Sequence, residues 1–250
     1  MLGVPATTDY DLNFRLLRIP VRVNPFFWVA AALLGWTGRS AGEVLIWVAC
    51  VFASILVHEF GHGLTARRLD GQRPSVILYW LGGLCSYDRE HGSGWRRLAT
   101  ILMGPGAGFL LYAVIGGVGA LATGLTPFGT IVRQPPRWAL NPYFLAAYFD
   151  LLHINLWWGL FNLLPIFPLD GGQAVQTLLT LGRRPDGAKW SYVVSIGVAA
   201  VLAVYFFQRD AQYQAFFMAY LGLINFQLFQ ATQMQGRYGA FEDDDNWWRK

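Results

Sequence analysis

A chain of 250 residues that is 54% hydrophobic, 16% aromatic and only 14% charged cannot cover a water-facing surface, for which about a quarter of residues are normally charged. That excludes an ordinary soluble domain and leaves one integral membrane domain as the simplest reading. The net charge of +4, from 17 Arg and 2 Lys against 15 acids, is read as topology and not as nucleic-acid binding, because basic residues flank membrane spans.

Residues 1–23 hold Asp9, Asp11, Arg15, Arg18 and Arg22 among scattered apolar residues. This is not a basic start followed by an apolar core, so no cleavable signal is expected and the stretch reads as a cytoplasmic N-terminal segment. Residues 24–231 read as the polytopic membrane domain. Its first apolar stretch, 23–36, is short against the usual span of about 20 residues, and a polar break follows at 37–43. A second span is expected over 44–64, ending at Ala66-Arg67-Arg68. Residues 74–87 are β-branched and aromatic, are broken by Gly82-Gly83, and are too short to cross as a helix. A membrane-associated β-hairpin or re-entrant loop is expected there.

A third span follows Trp95-Arg96-Arg97 and reaches about 123, with Gly104-Pro105 near its start. A fourth covers 142–164 and meets Pro165 and Pro168, which interrupt the helix. Helix resumes near 172–181, and two further spans cover 188–207 and 211–230. Residues 232–250 form a tail whose acidic 242–245 and Trp247-Trp248 read as a solvated end with an interfacial anchor. The fold class is thus an all-α integral membrane protein of about six transmembrane helices. Six crossings place both termini on one side, together with 15 of the 19 Lys and Arg, so the positive-inside rule puts both termini in the cytoplasm. Cys50 and Cys85 read as buried small hydrophobes.

The chemistry sits in the second span, at His58-Glu59-Phe60-Gly61-His62. Residues four apart share a helix face, so two imidazoles can grip one metal while the adjacent Glu reaches the attacking water. With four His and four Glu in the chain, random placement gives this pattern roughly once in a thousand such sequences, which favours the motif. Burying ionisable groups in lipid is also costly. Catalytic zinc usually takes three protein ligands and one open position. His91 lies in a polar loop and His153 inside the fourth span. Asp170, after Pro165 and Pro168 and before Gly171-Gly172, is the more attractive third ligand, because the break could turn its carboxylate inward and its expected depth matches that of the histidines.

A membrane-embedded HEFGH followed about a hundred residues later by NLLPIFPLDGG resembles the site-2 protease family of intramembrane zinc metalloproteases, over a core of about residues 44–182. The resemblance implies that His58, His62 and Asp170 bind one Zn2+ per chain and that Glu59 is the general base. It also implies that Asn162 stands near the reacting carbonyl and that the substrates are transmembrane proteins within a lipid bilayer, in a prokaryotic plasma membrane. Gly104-Pro105 resembles the family's Gly-Pro element, although Gly108 stands where many members have Asn. Asn155 reads as a packing amide between spans. A membrane metal carrier using the same ligands would tolerate Glu59→Gln, a di-iron oxidase would need more histidines and acids, and a catalytically dead relative would not need Glu59.

Overall fold

The computed structural model describes residues 6–36, 38–87, 94–181 and 186–244, with the backbone alone from 235 onward. His91, Arg183, Arg184, Trp247 and Trp248, which the sequence reading used, lie outside the described residues. The chain divides into two compact units, Met1–Phe161 and Asn162–Lys250.

The first unit opens with two strands where the sequence suggested only a cytoplasmic segment, β1 (Leu12–Leu16) and β2 (Ile19–Val23). They pair antiparallel through a tight turn at Leu17 and Arg18, both at positive φ (49° and 66°), the backbone that matches the twist of a two-residue hairpin. Ile19, Val21 and Val23 alternate inward and are at most 2% exposed, which is the period of a strand with one buried face. Helix α1 (Pro25–Gly35) follows, with the Asn24 side chain accepting a hydrogen bond from the Phe26 amide. At 11 residues it rises only about 16 Å and is too short to cross a bilayer by itself.

Helix α2 (Ala41–Asp70) is bounded by local signals. Ser40 and Glu43 form a reciprocal capping box, and Gly71 closes the far end in the left-handed region (φ 62°), a conformation that glycine adopts without steric cost. The chain then forms β3 (Ser75–Tyr79) and β4 (Gly82–Ser86), the expected hairpin. It does not stand alone. β3 runs parallel to β2, giving a four-stranded sheet in the order β1-β2-β3-β4. The inner face of the sheet packs with α1 and α2 into one core that includes Val76, Leu78, Phe27, Ile55 and Phe60.

Helix α3 (Gly94–Thr123) lies along α2, and a short 3-10 turn precedes α4 (Pro142–Asn162). Asp150 in α4, only 6% exposed, receives both guanidinium nitrogens of Arg39 at 2.6 and 2.8 Å. A buried carboxylate in a span needs such a partner. The second unit holds α5 (Asp170–Leu181), α6 (Gly187–Phe207) and α7 (Gln212–Asp244), with α6 and α7 packed along each other.

Among the described residues, four helices are long and apolar enough to cross a membrane: α2, α3, α4 and α6. The chain is therefore a mostly helical membrane protein carrying a small sheet. Of the two remaining expected spans, α1 is too short, and α7 carries Gln and Asn repeatedly along its length. Within the first unit's spans the share of the apolar window that is buried is 50% for α2 against 28% for α3 and 33% for α4, so α2 is the most enclosed of the three.

Candidate metal centre

The enclosed helix carries the His58–His62 motif. His58, Glu59 and His62 are 3%, 4% and 6% exposed, and one helical turn brings both imidazoles to the same face. Their Nε2 atoms lie 3.2 Å apart with the rings at 80°. Two nitrogens bound to one tetrahedral zinc at about 2.0–2.1 Å stand about 3.3 Å apart, so the pair is already spaced as metal ligands. The Nδ1 of His62 lies 2.8 Å from the Thr100 carbonyl oxygen. Nδ1–H donates to that oxygen, which fixes the tautomer and leaves the Nε2 lone pair for a metal, as outer partners of ligating histidines do.

Close approach of α3 makes this possible. A Cβ on Gly104 would fall on the His62 ring, and one on Gly61 would fall on the Met103 carbonyl. The Gly104-Pro105 pair singled out in the sequence thus marks the place where a backbone without side chain passes against a ligand. Gly108, the position that departs from the family pattern, faces Asn155 instead. Asn155 is the packing amide expected of it: its Nδ2 donates to Ser54 Oγ on α2 at 2.9 Å and to the Leu151 carbonyl at 2.8 Å.

The sheet bears on the same spot. Gly83 in β4 lies directly against the Glu59 carboxylate, and Cys85 Sγ faces Gly63 one turn further along α2. Burial, with the Glu59 charge nearby, pushes both the Tyr79 phenol and the Cys85 thiol above their ordinary values. Among the described residues β4 is paired only on its β3 side within the sheet. Both cysteines are free thiols, Cys50 buried and Cys85 partly so. His153 is exposed on α4 with its ring beside Trp157.

In the second unit, Asp170 is the first residue of α5 and is 7% exposed. The helix N-terminus favours a negative group there. The segment before it is pinned from α6 and α7: Phe167 N–H donates to Ser195 Oγ at 3.0 Å, and Asn225 Nδ2 donates to the Phe167 carbonyl. Gln173 Nε2 donates to the Pro168 carbonyl at 3.0 Å. The peptide bond between Phe167 and Pro168 is cis. Gly171 and Gly172 are required because any Cβ would collide with the backbone at Leu163 and Ile166. Asn162 ends α4 and is 9% exposed. Sequence reading missed Thr100, Ser195 and Asn225, whose partners lie 38, 28 and 58 residues away.

The sequence profile of Peptidase family M50 matches residues 46–137 and 131–204. A Synechocystis sp. protein assigned as a zinc metalloprotease is 31% identical over 76% of this chain and 53% of its own. A zinc metalloprotease of Methanocaldococcus jannaschii is 26% identical over 77% of this chain and 50% of its own. The chain therefore spans about half the length of these curated relatives. Among solved structures, a site-2 protease from Methanocaldococcus jannaschii shares the fold at a TM-score of 0.59 and 20% identity, over 88% of this chain and 95% of that one. His58, His62 and Asp170 are all buried, and two imidazoles with one carboxylate are a combination of donors that catalytic zinc takes in other proteins.

Proposed function

Because this chain belongs to Peptidase family M50, we propose that it is an intramembrane zinc metalloprotease that hydrolyses peptide bonds within or near transmembrane segments of membrane proteins. His58, His62 and Asp170 hold one zinc ion, and the observation that carries the reading is the 3.2 Å spacing of the two imidazole Nε2 atoms in a buried helix. Bound zinc supplies a Lewis acid that polarises a carbonyl and activates water near neutral pH.

The chain's own residues do the rest. Glu59 takes a proton from the attacking water and hands it to the leaving amine nitrogen. The Asn162 amide donates a hydrogen bond to the oxyanion, a role whose removal costs about 2.7–4 kcal/mol in other enzymes. A transmembrane substrate must unwind to expose its peptide bond, and the open edge of β4 offers it a strand to pair with. The contact between Gly83 and Glu59 supports this, since it sets that edge beside the base. Proline at alternate β4 positions is expected to slow cleavage where it blocks the open edge; neutrality at every position would remove the strand from the mechanism.

In this reading the Arg67-Arg68 end of α2 and the Arg96-Arg97 end of α3 lie on the cytoplasmic face of a prokaryotic plasma membrane, a placement that the positive-inside rule supports. Both termini share that face when the β2–α1 segment and α7 each complete a crossing. The test of function is cleavage of a single-span test substrate in detergent or nanodiscs. Cleavage is expected from the native chain and not after chelation or in Glu59→Gln. Metal flux surviving Glu59→Gln would instead indicate a carrier.

A further inference from the structure

At the end of α2 that follows the histidines, a cavity of about 980 Å3 opens between the β1–β2 hairpin, the last turn of α2 and the segment leading into β3. Among the described residues four arginines line it, Arg15 and Arg18 from the hairpin, Arg67 from α2 and Arg73 ahead of β3, and no acidic residue does. The nearby carboxylates are engaged elsewhere, Asp11 with Arg22 at 3.3 Å and Asp70 with Arg96 at 3.4 Å. Among the described residues none of the four arginines pairs with a carboxylate.

Topology alone asks for basic residues on one side of a membrane; it does not ask for them to converge on one space, where like charges repel. Two features hold them there. Arg67 Nη1 donates to the Leu17 carbonyl at 2.7 Å, fixing one guanidinium against the hairpin. Leu17 and Arg18 sit in the left-handed region, a strained backbone for residues other than glycine and one found at ligand clamps. Beside the charges, Leu16 and Leu17 are 44% and 58% exposed, an apolar rim at the end of a membrane-spanning helix.

We propose that this cavity binds phosphate groups presented at the membrane surface. A guanidinium fork matches phosphate oxygens in pairs, and basic pockets at span ends take anionic headgroups. Two sources carry that chemistry, the headgroup of an anionic phospholipid and free phosphate. Native mass spectrometry of the full chain in detergent separates them, with phosphatidylglycerol, phosphatidylcholine and inorganic phosphate as probes. Phosphatidylglycerol is expected to be retained over phosphatidylcholine, and at least tenfold less in a variant carrying Arg15→Gln, Arg18→Gln, Arg67→Gln and Arg73→Gln. Retention of inorganic phosphate with the same arginine dependence and no lipid preference would support the site with a soluble source. The control is Arg68→Gln, which removes one neighbouring exposed charge that does not line the cavity. Each arginine is also replaced singly, so that failure of the fourfold variant to fold leaves the comparison intact. Binding that ignores all four arginines, or falls as far in Arg68→Gln as in Arg67→Gln, would overturn the proposal.

Discussion

His62 is held by two contacts that sequence spacing does not reveal, the Thr100 carbonyl and the bare backbone at Gly104. Gly104→Ala puts a methyl group on the imidazole. Zinc affinity is expected to fall about 10–100-fold, as when outer partners of metal ligands are disturbed, and metal titration of the purified variant measures it. An N–H···N bond between the two imidazoles would share their 3.2 Å spacing, and the same titration separates that case from a metal pair. Asn155→Ala acts differently. It removes the bond to Ser54, so a loss of about 0.5–1.5 kcal/mol in stability with zinc content unchanged is the expected outcome. The motif residues were legible because their spacing is local, four apart on one helix. Thr100, Ser195 and Asn225 were not, since each acts through a contact made only after helices pack.

At the scale of elements, apolar length located α2, α3, α4 and α6 within a few residues at most ends, because a span must satisfy its backbone internally and declare itself in hydropathy. The same signal did not reveal the two strands of the N-terminal segment. β1 and β2 are five residues each, and arginines on their outer face mask the alternation of Ile19, Val21 and Val23. The hairpin they form is expected to loosen in acid. The Thr8 hydroxyl, 2.8 Å from the Asp11 carboxylate, holds that group below the usual carboxylate range, and Arg22 and Asn24 add to this. A depressed native value means that the contribution is complete above the ordinary carboxylate value and is lost as pH falls through the native one. Hydrogen-exchange protection factors of residues 12–23, taken against the intrinsic rate at each pH, are therefore expected to fall on acidification, and to do so less in Asp11→Asn. At the other end of α2, the Arg39–Asp150 clamp ties the connection before α2 to α4. Arg39→Gln leaves a buried carboxylate uncompensated. Since the Arg39 side chain is 30% exposed, solvent screening reduces the cost to about 1–3 kcal/mol, readable as a lower melting temperature.

For the whole molecule, the division of labour follows from where water is excluded. The first unit places Glu59 and two imidazoles on its most enclosed helix, with β4 laid against the Glu59 carboxylate. The second unit supplies a carboxylate at a helix start, braced by α6 and α7. The proposed function requires two sequence stretches about a hundred residues apart to act on one ion, and metal stoichiometry tests this most directly. Elemental analysis of the purified chain should find one zinc in the native protein and in Glu59→Gln, and a large loss in each of His58→Ala, His62→Ala and Asp170→Ala. A folded Asp170→Ala that keeps its zinc while His58→Ala loses it would contradict the account.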